Sequence, residues 1–120
     1  MAGSFKLARG DVVLVPFPFT DLTAQKVRPA VIVSADPQVP DVIVAFISSV
    51  LTNRSPRSAE VELLRSDPEF ASSGLKVDSL IRLDKLATLS RSIVSRRLGT
   101  AGTTTSSNIG TMLRRALDLS

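Results

Sequence analysis

Short apolar runs of strand length make up most of this chain. The runs "DVVLVPF", "KVRPAVIVS" (26–34), "DVIVAFISS" (41–49) and "AEVELL" (59–64) are rich in valine and isoleucine, which is typical of β-strands. Two later segments, 76–90 and 91–98, predict further strands, the first of them broken near Asp84. Between these groups "RSDPEFASSG" contains proline and glycine and predicts a turn or short helix. The pattern therefore indicates a mainly β protein.

Apolar residues near the end of the chain recur with a different period from those of the strands. Apolar residues recur there at helical spacing, which predicts one terminal amphipathic helix with a single apolar face. The members of that face are Ile109, Met112, Leu113, Ala116 and Leu117. The small polar segment "GTAGTTTSSN" before it predicts a flexible connector, and Ser106, Ser107 or Asn108 can cap the helix.

The order of elements predicts the architecture. Strands joined by short connections favour antiparallel pairing, so we expect a small, strongly curved sheet or barrel with the helix packed outside. This is an α+β chain with β predominating. Its 120 residues suit one domain, 1–120, in which residues 1–8 are expected to be flexible.

Composition excludes several kinds of chemistry. The chain has no cysteine and no histidine, which removes disulfides, zinc-thiolate sites, serine triads and histidine acid–base pairs. No signal peptide is recognisable, and the longest apolar run, "VVLVPFPF", is too short to cross a bilayer, so a cytoplasmic protein without membrane contact is expected.

Positive charge is concentrated near the end of the chain. Residues 82–120 contain seven Lys or Arg and two Asp, a net charge of +5, whereas the whole chain has +4. Such asymmetry is typical of proteins that bind a polyanion, most simply nucleic acid, although basic residues that only keep a surface soluble explain it equally well.

Three stretches could carry chemistry. Arg28 stands before Pro29, which restrains its backbone to an extended form, and a guanidinium can hold a phosphate with two donors. An exposed surface arginine is the simpler interpretation. Ser48 and Ser49 end a nearly all-apolar strand and could point into a cleft, but serine pairs also serve ordinary turns.

The third stretch is "VPFPFTD", in which strand-breaking prolines alternate with two phenylalanines. Phe17 and Phe19 share a face if the backbone is extended, and aromatic rings beside basic residues can stack on exposed bases. Burial of Phe17 in the core is the alternative.

Together these stretches resemble the MazF/PemK family of toxins from bacterial toxin–antitoxin pairs. "RGDVVLVPFPFTD", "KVRPAVIVS", "VIVAFISS" and "GLKVDSLIRLDKLATLSRSIVSRRLG" follow the family's order and spacing over about residues 9–118. The resemblance implies an SH3-like barrel that forms a homodimer. It also implies an endoribonuclease without metal or other cofactor, which cuts single-stranded RNA at preferred sequences, stops translation and growth, and is blocked by a cognate antitoxin with an acidic segment.

The resemblance also implies roles for particular residues. Arg28 matches the family's catalytic arginine, and Ser48 matches its catalytic hydroxyl, which is often a threonine. Phe17 and Thr20 match a loop that contacts RNA and that the antitoxin covers. Lys26, Ser49 and Lys85 complete the predicted RNA-binding set, and no residue is assigned as general base. The loop "TDLTAQK" departs from the family's glycine-rich form, so the preferred RNA sequence does not follow from the likeness.

Two other functions remain compatible with the residues. A poison of the CcdB type, which binds gyrase, would share only the architecture, would act through its terminal helix and would not need Arg28. An inert SH3-like binding module is the other alternative.

Overall fold

Six antiparallel strands form one sheet, which is curled into a half-barrel and carries a C-terminal helix. The computed structural model describes residues 6–16, 26–49 and 58–119. The strands pair in the order β4-β5-β3-β2-β1-β6. The elements are β1 (Asp11–Pro16), β2 (Val27–Ser34), β3 (Asp41–Ser49), β4 (Glu60–Leu63), α1 (Phe70–Ser73), β5 (Ser79–Ser90), β6 (Arg96–Thr100) and α2 (Thr103–Ala116). The predicted small curved sheet with a terminal helix is confirmed.

Both faces of the central strands are buried. On one face Val12, Val31 and Ala45 join a cluster that α2 covers with Ile109. On the other face Val13, Ala30 and Ile32 pack with the buried side chains of Leu7 and Val94. Alternate residues of a strand point to opposite faces, so nearly continuous apolar runs in β1, β2 and β3 are what this double burial requires.

Irregular pairing bends the sheet. The register between β3 and β5 shifts between Ala45, which pairs with Leu86, and Phe46, which pairs with Arg82. Three residues of β5, 83–85, therefore have no partner on β3. The strand itself runs without a break from Ser79 to Ser90, so the interruption that the sequence predicts near Asp84 is a bulge in the pairing. Further shifts interrupt the β1–β6 and β2–β3 pairs. Such bulges increase local twist and curvature.

Pairing between β2 and β3 ends where a proline removes a donor. The last matched pair at this end is Ala30 with Phe46, and Pro29 comes next on β2. The carbonyl of Ile32 accepts from Gly10 on the β1 side, and main-chain groups alternate along a strand, so position 29 faces β3. A proline there has no N–H to donate. Arg28 still pairs with Val15 of β1.

The prediction of one strand over 91–98 is wrong in its first half. Residues Arg91–Ile93 form a single 3₁₀ turn, and β6 begins only at Arg96. The hydroxyl of Ser90 accepts from the N–H of Ser92, and the Arg91 guanidinium donates to the carbonyls of Asp36 and Val39. These side-chain bonds offer the backbone an alternative to strand pairing.

The predicted flexible connector before the last helix is also wrong in part, because α2 begins at Thr103 and includes Ser106, Ser107 and Asn108. Gly102 occupies the N-cap position, and glycine has no side-chain oxygen that could accept a hydrogen bond from the first turn. The carboxylate of Glu69 does so instead, accepting from the N–H groups of Thr104 at 2.9 Å and Thr105 at 2.8 Å. A Cβ at position 102 would lie within 3 Å of that carboxylate, which explains the glycine.

The apolar face of α2 agrees with its predicted spacing except at one residue. Ile109, Met112, Leu113 and Ala116 pack against the sheet, whereas Leu117 is the helix C-cap and is 49% exposed.

At the other end of the chain, Leu7 is buried and the N–H of Ala8 donates to Asp11. The predicted flexibility of residues 1–8 stays a prediction, and its first five residues lie outside the described ranges. In the parts of the chain that the structure describes, no helix has the length and apolar character to span a membrane.

We predict that Glu69→Gln lowers the melting temperature at neutral pH. Hydrogen bonds from the N–H groups of Thr105 and Thr104 hold the pKa of Glu69 below its ordinary value. A lowered folded-state pKa gives stability that is present above the unfolded pKa and is lost as pH falls through the folded value. Thermal melts of the wild type and the variant should therefore differ at pH 7 and converge in acid. Glu62→Gln, which removes an exposed carboxylate from β4, is the matched control, and an equal loss in both variants would contradict the capping role.

Candidate active site

A cleft of about 990 Å³ opens where β2 and β3 part. Its walls come from the end of β1, the start of β2, the end of β3, the segment 74–77 after α1, and parts of β5 and β6. Apolar groups such as Phe46 and Leu86 form part of the lining, and polar and charged side chains form the rest. The cleft exists because residues 27–29 of β2 and 47–49 of β3 do not pair with each other, while β3 continues beside β5.

Arg28 and Ser48 lie at matching positions in this cleft. The pairs Ala30–Phe46 and Ile32–Val44 define the β2–β3 register, and Arg28 and Ser48 stand at equal distances, two residues, beyond its last pair. Residues two apart on a strand share a face, so both side chains lie on the face of Ala30 and Phe46. Both residues are exposed and both line the cleft. The predicted catalytic pair is therefore brought together.

The remaining predicted site residues divide into three groups. Ser49 and Lys85 line the same cleft. Lys26 is exposed just before β2 but is not part of the cleft wall. Phe17 and Thr20 lie outside the described residues. Contact of each of these five residues with RNA stays a prediction.

The cleft is strongly cationic. Five of its described lining residues are basic, and the one carboxylate among them is Asp84. Sequence reasoning did not single out Arg82, Lys76 or Arg96, although the excess of basic residues after position 81 was a signal for two of them. Positive charge collected in a concave surface with apolar walls attracts a polyanion such as a nucleic-acid backbone.

Arg82 is held between two carboxylates. Its Nε lies 3.4 Å from Oε2 of Glu60, whose side chain is 1% exposed. Its Nη2 lies 3.5 Å from Oδ2 of Asp84, whose side chain is 46% exposed. Asp84 belongs to the unpaired part of β5, so the bend of that strand carries the carboxylate into the cleft.

A metal centre finds no support in the described part of the chain. Residues 6–16, 26–49 and 58–119 contain no group of three or more Asp or Glu placed to hold a metal ion. Independence from metal stays a prediction.

Solved structures share this fold over nearly the whole chain. An endoribonuclease from a mycobacterial species, solved with its cognate antitoxin, aligns with a TM-score of 0.73 at 22% identity, covering 96% of this chain and 98% of that one. The Mycobacterium tuberculosis toxin MazF-mt6 aligns with a TM-score of 0.70 at 19% identity, with 92% and 98% covered. MazF from Deinococcus radiodurans aligns with a TM-score of 0.70 at 18% identity, with 97% and 100% covered. At such identities the likeness shows the fold alone. Comparison with curated proteins gave no match.

The half-barrel, its C-terminal helix and its cationic cleft describe a small β protein with a concave surface suited to a polyanion. The family model for the PemK-like, MazF-like toxin of type II toxin–antitoxin systems matches residues 8–117. The chain belongs to this family of toxins, and the predicted resemblance is confirmed.

Proposed function

We propose that this chain is an endoribonuclease that cuts single-stranded RNA at preferred sequences and so inhibits translation and growth in the cytoplasm. The observation that carries the proposal is that Arg28 and Ser48 line one cationic cleft. Membership in a toxin family and a fold shared with endoribonucleases support it.

RNA supplies its own nucleophile, which suits a chain without histidine. Attack of the 2′-oxygen on the adjacent phosphorus forms a 2′,3′-cyclic phosphate and breaks the bond to the 5′-oxygen, which leaves as a hydroxyl after taking a proton from water. The protein must orient the reacting atoms and stabilise the negative charge that grows on the phosphate oxygens. Arg28 would hold those oxygens with two donors, and Ser48 would add one hydrogen bond.

The proton of the 2′-hydroxyl needs an acceptor. Asp84 is the one carboxylate among the described residues of the cleft wall, and we assign it this role. Its ion pair with Arg82 keeps it on the cleft side of β5. Phosphate groups on either side of the cut would meet the other basic residues of the wall.

Two protein partners complete the proposal. A second copy of the chain would form a homodimer, which the family resemblance implies and which the exposed Leu117 and Leu119 beyond α2 favour. A cognate antitoxin would compete with RNA, because an acidic segment complements the charge of the same cleft. Related toxins have been solved as MazE–MazF complexes and with a cognate antitoxin.

We predict that Arg28→Ala abolishes measurable cleavage without unfolding the protein. A preorganised charged donor at the transition state is typically worth about a hundred- to a thousand-fold in rate. Arg28→Lys should recover little, because an ammonium cannot hold two oxygens in a fixed fork. The measurement is single-turnover cleavage of an RNA oligonucleotide in EDTA, with circular dichroism to confirm folding.

Serine variants provide the controls for that experiment. Ser48→Ala should cost less than Arg28→Ala because it removes one neutral donor, Ser48→Thr should be tolerated, and Ser49→Ala tests the neighbouring hydroxyl. A folded Arg28→Ala protein that cuts at the wild-type rate would favour a gyrase poison of the CcdB type or an inert module. Wild-type activity that disappears in EDTA and returns with magnesium would contradict the metal-independent mechanism.

RNA binding should weaken steeply as salt rises, since each phosphate contact releases counterions. Replacing one contacting arginine of the cleft, Arg96→Gln, should reduce the slope of log affinity against log salt by about 0.7 for a single strand. Arg65→Gln removes the same charge from an exposed position outside the cleft wall and should leave the slope unchanged. Fluorescence anisotropy with a 2′-deoxy oligonucleotide measures both, and equal slopes in the two variants would argue against RNA in this cleft.

The homodimer predicts a solution mass of twice the 12.8 kDa chain. Light scattering at micromolar concentration measures it directly. A monomer mass under those conditions would remove the second copy from the proposal.

A further inference from the structure

Glu60 is a buried acid next to the cleft whose charge the cleavage mechanism does not use. Its side chain is 1% exposed, and it begins β4 directly after Ala59. Ala59 has a left-handed backbone with φ of 71° and is held by a hydrogen bond from the N–H of Leu83 to its carbonyl. A buried carboxylate is costly unless charges and hydrogen bonds compensate it. Its position therefore needs a reason.

The sheet places Glu60 in line with the cleft. Glu60 pairs with Arg82, Arg82 pairs with Phe46, and Phe46 pairs with Ala30, so one row crosses four strands on a single face. The row of Arg28 and Ser48 is the next one on that face, two residues along each strand. Arg82 is thus a neighbour of the proposed catalytic pair, with Glu60 on its far side.

The two carboxylates that contact Arg82 differ in burial, because Glu60 is buried and Asp84 is exposed. Nε of Arg82 is buried and has no hydrogen-bond partner among the described atoms, and the ion pair with Glu60 at 3.4 Å compensates that burial. Nη2 extends toward Asp84, which is exposed and lines the cleft. One edge of the guanidinium is therefore held inside the sheet, while the other reaches solvent.

We propose that Glu60 is a positioning residue, which fixes Arg82 through its Nε edge so that its outer nitrogen atoms meet an RNA phosphate in the cleft. The inference rests on the proposed function. The incoming phosphate replaces Asp84 as the partner of Nη2, and this exchange frees the Asp84 carboxylate to accept the 2′-hydroxyl proton. Glu60 itself touches no substrate. Because the guanidinium is held before RNA arrives, binding does not have to order it.

The test is Glu60→Gln, which keeps the shape of the side chain and removes its charge. Loss of positioning should lower the single-turnover cleavage rate about ten- to a hundred-fold. Affinity for an uncleavable 2′-deoxy oligonucleotide should stay equal or rise, because the cleft becomes more positive. A merely structural role would weaken binding and cleavage together. Asp41→Asn removes one carboxylate charge from an exposed position at the opposite end of β3 from the cleft and should leave both unchanged.

A double-mutant cycle assigns the effect to Arg82. In an Arg82→Gln background, Glu60→Gln should cost less than about twofold in rate, since there is no guanidinium left to position. Equal losses in both backgrounds would overturn the proposal. If Glu60→Gln fails to fold, Glu60→Asp supplies a second variant, which keeps the charge but shortens the side chain and should therefore also lower the rate. A wild-type rate for either variant, once shown to be folded, would overturn the proposal as well.

Failure of the inference is distinguishable from failure of the proposed function. An inactive wild-type protein on mixed-sequence RNA contradicts the proposed function and this inference with it. An active wild type together with an unaffected Glu60→Gln variant contradicts the inference alone.

Discussion

The missing N–H of Pro29 determines where the sheet stops and the cleft begins. On β2 this position faces β3, and a residue that cannot donate there ends the ladder at Ala30. β3 continues to Ser49 with β5 as its one partner among the described strands, so its last residues border open space on the β2 side. One proline thereby turns the end of a tightly paired sheet into an open cleft.

The proposed cleavage in that cleft depends on the positive charge and the position of its arginine side chains. It does not need a histidine. Arginine remains protonated at any physiological pH, so a cleft lined by Arg28, Arg82 and Arg96 offers fixed positive charge. The sheet beneath is buried on both faces, which makes it a rigid support for these side chains. Rigid placement is what electrostatic stabilisation of a transition state needs, because little reorganisation is left for the moment of reaction.

The sequence was sufficient to predict the elements whose signal is local. The apolar runs located β1 to β5, the bounds of β3 were predicted to the residue, and the short α1 was also anticipated, whereas the break expected near Asp84 is a bulge in a continuous strand. The start of α2 was not, because its cap is a side chain from 35 residues earlier in the chain. Threonine and serine have weak helix propensity, and that distant carboxylate stabilises the first turn they form.

In the candidate site, too, the residues with a local sequence signal were predicted and the others were not. Arg28 and Ser48 each stand at the end of an apolar run, and family resemblance connected them. Arg82 and Glu60 lack such a local signal, since each alternates with apolar neighbours as any residue of a half-exposed strand does. Their pairing depends on the β4–β5 register, and register is a property of the assembled sheet.

The contact between Glu69 and the first turn of α2 also has a consequence for motion. Glu69 directly precedes α1, and α1 leads without interruption into residues 74–77 of the cleft wall. The amide hydrogens of Thr104 and Thr105 exchange with solvent when their hydrogen bonds to the Glu69 carboxylate break. Hydrogen exchange at these two amides therefore reports how often the contact breaks that joins the start of α2 to the segment leading into the cleft wall.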